Sequence, residues 1–482
     1  MMNEPKTEGF KKALGLPSAI AMVMGSMIGS GIFIVPADIA RGVDSPALFI
    51  LAWIITGFLT IVGALSYGEL AAMMPKAGGQ YVFLRESLGP IWGFLYGWTL
   101  FLVIQTGTIA AVAVAFGKFL GVWFPSISAT NWIIHFGEWG GINAGLSTQN
   151  AVAILVIFLL TLVNIFGVKS GAIVQNLFTL AKTLALVGLI LIGFTIAKNS
   201  EAVHLNFDGF FRNFSWDGVY SVKNGSSTEM VGVLMILAVV QVGSLFSSDA
   251  WNNVTFAAAE VKNPQRNLPL ALALGTGSVI LLYILANFAY LAALPLDAIK
   301  NASEDRVGTA LLEQVFAGGV GAKWMALAIL ISTFGCVNGM ILAGSRVYYA
   351  MSEDQLFFKA ASKIHPKFQT PVIALVLQGF WASTLCLSGT YGQLLDYIIF
   401  AVLFFYVLTI LGLFILRKRK PDWARPYRAV GYPVLPALYL IIASFIDLVL
   451  LRYKPQYTWP GLIIVCTGIP VYFLWKRKAL SV

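Results

Sequence analysis

The chain has 482 residues, 58% hydrophobic and only 11% charged, with a formal net charge of +10 and a mean hydropathy of +0.80. No water-soluble core absorbs that composition, so the sequence predicts an all-α, polytopic membrane protein. The positive balance does not point to nucleic acid, because the bases sit in short loops between apolar runs, the pattern of membrane orientation.

Residues 1–12 are polar. The first apolar run, about 16–40, is too long for a signal-peptide core and lacks a small-residue cleavage site, so no cleavable leader is expected. The run is long enough to cross a bilayer, yet it contains Gly25-Ser26-Met27-Ile28-Gly29-Ser30-Gly31. Each of those glycines costs a helix about 1 kcal/mol relative to alanine. Unwound backbone at membrane depth is tolerated only where it is buried in protein or lines a cavity. Free N–H groups at one half-helix end suit an anion, and free carbonyls at the other suit a cation. The stretch is therefore expected to form half of a site for a zwitterion carrying a carboxylate and an ammonium. Gly25 and Gly29 also have the spacing of a small-xxx-small packing contact, and that alternative stays open at this point.

The second run, about 46–73, and the third, about 91–120, flank a short loop. Glu69, Lys76, Arg85 and Glu86 lie around it, expected either as a solvated cluster or as ion pairs that lock a closed state. The fourth and fifth runs, 148–168 and 171–196, are joined by a very short turn. In the fifth stands Lys182. A central lysine costs roughly 2.5–3.5 kcal/mol on insertion scales and is functional by default. Its expected partners are carbonyls of the broken first helix and hydroxyls of another helix; a lysine facing a watery vestibule is the plainer alternative. Two long loops, 121–147 and 197–230, are rich in Trp and Phe and suit a membrane interface.

The sixth run, about 231–258, is interrupted by Phe246-Ser247-Ser248-Asp249-Ala250-Trp251-Asn252-Asn253. Asp249 is the second deep charge, able to orient an ammonium or cationic side chain, or to cap the second half-helix. Phe246 reads as a lid or as ordinary packing. Glu260, Asn263, Arg266 and Asn267 read as a capping and loop network. The remaining runs fall near 269–293, 323–350, 371–388, 392–416, 432–451 and 457–475, making about twelve helices. A turn at 388–391 joins the ninth and tenth.

Most of the 32 Lys and Arg fall in loops on the side of the N-terminus, which puts both termini in the cytoplasm and the two long loops outside. The second interruption comes five helices after the first, so the halves are expected to be inverted repeats, 16–196 and 231–416, with two further helices over 432–475. Cys336, Cys386 and Cys466 all lie in apolar runs and His135, His204 and His365 are scattered in loops, so no disulfide framework or metal site is expected. No phosphate-binding loop or nucleophile motif is present, which argues against an enzyme. Two unlike breaks and one buried lysine suit a small-solute carrier better than a channel.

At these residues the sequence becomes recognisable. Gly25-Ser26-Met27-Ile28-Gly29-Ser30-Gly31-Ile32-Phe33 with Pro36 resembles the first-helix signature of the amino acid–polyamine–organocation (APC) superfamily. Ser66-Tyr67-Gly68-Glu69-Leu70 and Pro75-Lys76-Ala77-Gly78-Gly79-Gln80-Tyr81 are similar to its second-helix motif. Trp251-Asn252, Glu260, Gln175, Ala181-Lys182, Val337-Asn338-Gly339 and Ser345-Arg346 resemble the L-type amino acid transporter branch. The resemblance covers about residues 15–415 and implies a LeuT-type fold of 5+5 inverted repeats plus two helices.

It also implies a sodium-independent amino acid exchanger, with proton-coupled uptake as the alternative mechanism. Ser26, Ile28, Ser30 and Gly31, with Gly29 between them, would bind the substrate carboxylate and line its pocket. The carbonyls of Phe246, Ser247 and Asp249 would take the ammonium, with Asn252 in the same break and Phe246 as the gate. Lys182, with Gly25 and Ser332, would replace a sodium site. Ser248 and Ala250 depart from the aromatic and glycine usual there, and Asp249 leaves the charge of the substrate side chain open. Residues 121–147 hold no cysteine, so no disulfide-linked heavy chain is expected. The resemblance thus implies a monomer in a bacterial inner membrane, working on small-molecule amino acids without a cofactor.

Overall fold

The structure, a computed structural model, describes residues 10–139, 142–208, 210–211, 214–224, 227–316, 318–387 and 391–480. The polar start and most of the turn expected at 388–391 lie outside the described residues.

The first run forms two helices, α1 (Leu16–Met27) and α2 (Gly31–Val43), bent by 42° where they meet. The expected interruption is real but shorter than the glycine-rich stretch, since Gly25 and Ser26 are still helical. α3 (Pro46–Met73) opens on a proline, whose missing N–H would have had no helical partner anyway. α4 (Gln80–Leu88) and α5 (Pro90–Thr99) follow, and a π-helical turn at Leu100–Ile104 leads into α6 (Gln105–Leu120). α7 (Thr148–Ile165) is capped by Ser147, whose Oγ accepts the Asn150 N–H, and α8 (Val168–Phe194) ends the first half.

After the short α9 (Ser200–Val203), the sixth run is also broken, into α10 (Val233–Ser247) and the single turn α11 (Asn253–Phe256). Beyond it come α12 (Pro264–Ala293), the short α13 (Leu296–Lys300) and α14 (Val307–Glu313), then α15 (Val320–Glu353), α16 (Val372–Leu385), α17 (Tyr391–Arg419), α18 (Val434–Tyr453) and α19 (Pro455–Leu480). Among the described residues nine helices are long and apolar enough to span, ten with the bent α1–α2 pair, and α10 and α16 are apolar but shorter. This is an all-α, multi-pass membrane protein with little sheet.

Both long loops contain something the apolar runs did not signal. β1 (Trp132–Trp139) pairs antiparallel with β2 (Ile142–Ser147), and β3 (Val219–Asn224) with β4 (Ser227–Gly232). Such short hairpins carry no helix-period signal and are easily read as loop.

Helical periodicity decides what faces lipid. On α8, Ile173, Leu177, Leu180, Leu184 and Leu191 form one exposed stripe, while Lys182, Gln175 and Thr179 on the other face are buried. α15 is buried along most of its spanning length and packs against α1, α6 and α8. A polar ladder runs through this layer: Asn164 Nδ2 donates to Asn338 Oδ1 (2.9 Å), Asn338 Nδ2 donates to Gln175 Oε1 (3.1 Å), and Thr179 Oγ1 donates to Ala21 O (3.0 Å). It joins α7, α15, α8 and α1 beside the first break.

Candidate functional site

Helix ends leave carbonyls without partners, and in an apolar interior each must find a donor. At the end of α1, every carbonyl from Gly25 to Gly29 has one, supplied by three other helices. Lys182 Nζ, from α8, donates to Gly25 O, to Ile28 O (2.7 Å) and to Ser332 O (3.3 Å). The Ser332 hydroxyl of α15 donates to Ile28 O (2.9 Å) and Gly29 O (3.2 Å), and Cys336 Sγ to Ser26 O (3.0 Å). Tyr283 Oη, from α12, donates to Met27 O (3.0 Å).

The structure thus brings Lys182, Gly25 and Ser332 together, with one difference from the hydroxyl contact expected. Lys182 reaches the Ser332 carbonyl, because the Ser332 hydroxyl is already turned to the break. Cys336 and Tyr283 were missed. Tyr283 had left a signal, since a tyrosine in the middle of an apolar run needs a partner for its hydroxyl.

The second break begins at Ser248 and turns at Ala250, whose φ of 65° is left-handed. That conformation favours glycine, so the departure at this position from the family pattern carries strain. Phe246 O accepts the Asp249 N–H (3.2 Å) in the turn itself. Ser247 O accepts from Tyr283 Oη (3.1 Å), so one phenol spans both breaks. They also touch directly: a Cβ on Gly31 would stand 3.0 Å from Ser247 Cα and closer still to its side chain.

The structure therefore brings Ile28, Gly29, Gly31 and Ser247 together, with Ser30 buried at the start of α2 and Phe246 buried at the end of α10. Ser26 is buried against Gly339, its hydroxyl without a partner among the described residues. The side chains of Asp249 and Asn252 do not join this group. Asp249 Oδ1 accepts from Tyr406 Oη of α17 at 2.5 Å, and Asn252 Nδ2 donates to Gln80 Oε1 (2.9 Å), whose Nε2 donates to Thr409 Oγ1 (3.0 Å).

Asp249 lies between two narrow cavities. One is lined by Tyr96, Gln105, Asn252, Met340 and Tyr406, and the other by Thr60, Ser248, Trp251 and Tyr439. Each has room for about one water molecule. The π-helical residues Leu100 and Ile104 also line the first. Such turns often mark functional positions, and nothing in the sequence announced this one.

Of the two readings left open for the charges around the loop between the second and third runs, a solvated cluster does not hold at Glu69, which is fully buried and ion-paired. It accepts from Arg417 (2.9 and 2.6 Å) and from the Ala429 N–H (2.7 Å). Arg85 pairs with Glu86 (2.8 Å) and with Asp354, which also accepts from Tyr81 Oη (2.6 Å). Glu260, read as part of a capping network, forms a buried ion pair with Arg346 (2.9 Å), and its carbonyl accepts the Ala13 and Leu14 N–H groups. At the opposite end Arg41 of α2 binds Asp305 (2.7 Å) and Lys300 O (2.9 Å). Asp447 of α18 is a fourth buried carboxyl, overlooked in sequence, with one oxygen unpartnered among the described residues.

A family described as amino acid permease matches residues 14–472. The serine/threonine exchanger SteT of Bacillus subtilis (strain 168) is 32% identical over 478 residues, covering 98% of this chain and 99% of that protein. The large neutral amino acids transporter small subunit 2 of Homo sapiens is 32% identical over 474 residues, 97% of this chain and 82% of that protein. The b(0,+)-type amino acid transporter 1 of Homo sapiens is 29% identical over 475 residues, 98% and 89% of the two chains.

Proposed function

The chain belongs to the amino acid permease family, on the L-type branch of the APC superfamily, and from that premise we propose that this transporter is a sodium-independent exchanger of L-amino acids working by alternating access. Residues 16–196 and 231–416 act as inverted repeats, with 432–475 outside them, and the two breaks meet at the pseudo-symmetric centre. N–H groups around Ile28, Gly29, Ser30 and Gly31 receive the carboxylate, with Ser26 lining the pocket. The carbonyls of Phe246, Ser247 and Asp249 receive the ammonium, and Phe246 closes over the solute, with Asn252 holding the second break in place. Both termini are cytoplasmic, and the carrier works as a monomer in a bacterial inner membrane without a disulfide-linked heavy chain.

The observation that carries this reading is the Lys182 ammonium on Gly25 O and Ile28 O. Carbonyls freed at a half-helix end are where carriers of this architecture hold a coupling ion. A tethered cation already there removes the need for sodium. Exchange is supported by the bacterial relative, which is a serine/threonine exchanger.

Counterflow in proteoliposomes tests it. Uptake of labelled amino acid should require amino acid inside and be the same in sodium as in choline medium. Uptake into empty vesicles driven by an inward proton gradient would instead support proton symport through Lys182 or Asp249.

A further inference from the structure

The polar groups of the second break are tied to α17 at two points on one face, Tyr406 and Thr409, the latter through Gln80. Such spacing (i, i+3) puts both on the side of α17 that faces the break. Tyr406 is not free to swing aside. Its ring stands 5.7 Å from that of Tyr67, edge on, and 5.1 Å from that of Trp251, while Tyr67 and Trp251 meet edge to face at 4.8 Å. All three are buried. The only deep carboxyl at the break is thus capped by a phenol locked in an aromatic cluster, with about one water's room on either side.

We propose that Tyr406 is a specificity-determining residue: by holding Asp249 Oδ1 and filling the space before it, it restricts the carrier to amino acids with small uncharged side chains. The proposal rests on the carrier reading above and adds to it the class of solute. Left uncapped, a carboxyl beside the pocket would attract the ammonium of a lysine or the guanidinium of an arginine. A phenol hydrogen in that position gives the carboxyl a permanent neutral partner. The phenol oxygen occupies the place that a cationic head, itself no larger than a water at the lysine nitrogen, would have to enter. A four-carbon stem behind that head has no room in either cavity. A methyl or hydroxymethyl side chain is far shorter, stops before Asp249 and makes no demand on its charge. Asp249 then serves position, fixing the second break to α17, and does not read charge.

Proteoliposome counterflow with labelled serine and labelled lysine tests this in the wild type, in Tyr406→Phe and in Tyr406→Phe with Asp249→Asn. The wild type should exchange serine and leave lysine near background. Tyr406→Phe removes one oxygen and the hydrogen bond while keeping the ring, and should raise the lysine-to-serine ratio at least tenfold. The double variant should lose that gain, because the charge it depends on is gone.

Wild-type lysine exchange comparable to serine, or a Tyr406→Phe ratio within twofold of wild type while serine is still carried, would overturn the proposal and leave the carrier reading intact. Should Tyr406→Phe carry nothing, binding decides: lysine should raise the melting temperature of purified Tyr406→Phe more than that of the wild type, and an equal or smaller rise would refute the proposal. No movement of any amino acid by the wild type would bring down the carrier reading and this proposal with it.

Discussion

Replacing Lys182 by alanine tests the coupling between α8 and the first break. The variant loses three donated bonds, to Gly25 O, Ile28 O and Ser332 O. A hydrogen bond from a charged group is worth about 1.5–3 kcal/mol. Against that loss stands relief from holding an ammonium at membrane depth, about 2.5–3.5 kcal/mol on insertion scales. Ile28 O also keeps its bond from the Ser332 hydroxyl. Three such bonds exceed that relief by a few kcal/mol, so Lys182→Ala should still insert and fold but with a lowered melting temperature. Transport should suffer far more. The carbonyl end of α1 is held against α8 by Lys182 and nearby by Thr179, and a break displaced by about 1 Å loses roughly 100-fold in a step that depends on positioning. Initial rates of counterflow, set beside thermal unfolding of the same preparation, separate the two. A folded Lys182→Ala carrier exchanging at the wild-type rate would refute both the account of α8 and the substitute-cation reading.

The other predictions concern the breaks and a buried ion pair. Ala250→Gly removes a left-handed alanine and should stabilise the protein by about 1 kcal/mol, read as a rise in melting temperature; a fall would show that the alanine methyl does more by packing than it costs in strain. Gly31→Ala should abolish exchange, because its methyl group would meet the Ser247 backbone at 3.0 Å and force the breaks apart; retained counterflow would mean that they need not touch. Arg346→Leu leaves the buried Glu260 carboxylate without its partner and should cost about 3–5 kcal/mol, checked by thermal unfolding, with Glu260→Leu added to it recovering a large part.

How far the site could be read from sequence depends on the kind of signal each residue leaves. Glycines clustered at mid-run and a lysine in hydrocarbon are costly where they stand, and cost locates them: Gly25 to Gly31 and Lys182 turned out to be in contact. Where a side chain points is a different matter. Asp249 and Asn252 lie in the right break, yet they turn to α17 and α4 because partners there, Tyr406 and Gln80, come from segments over a hundred residues distant in sequence. For Glu69 the choice between water and an ion pair stayed open for the same reason. Its position near a loop suggests water, and only the fold brings Arg417 and the Ala429 N–H onto it. Deep tyrosines were legible in principle, since a phenol in an apolar run needs an acceptor, but the acceptors of Tyr283 are backbone carbonyls, which no residue type reveals.

If the carrier exchanges, as proposed, those two carbonyls give an empty one a reason to resist moving. Tyr283 Oη stands 3.0 Å from Met27 O and 3.1 Å from Ser247 O, one on each break, and a phenol has a single hydrogen to give. With the two breaks in contact, that hydrogen is shared. An ammonium brings three, enough for Ser247 O, Phe246 O and Asp249 O, which would leave the Tyr283 hydrogen wholly to Met27 O. Each acceptor left short in a dry interior costs about 1–3 kcal/mol, and a difference of that size between loaded and empty closure shifts populations by roughly 5- to 150-fold. The first break needs no such help on its other side, where Lys182 and Ser332 already fill the carbonyls from Gly25 to Gly29 that Tyr283 does not reach, apart from Ser26 O, which Cys336 serves. Saturated by the protein on one flank and under-supplied on the other, the junction of the breaks closes best around a molecule that carries its own ammonium, and closure without one is the step that exchange avoids.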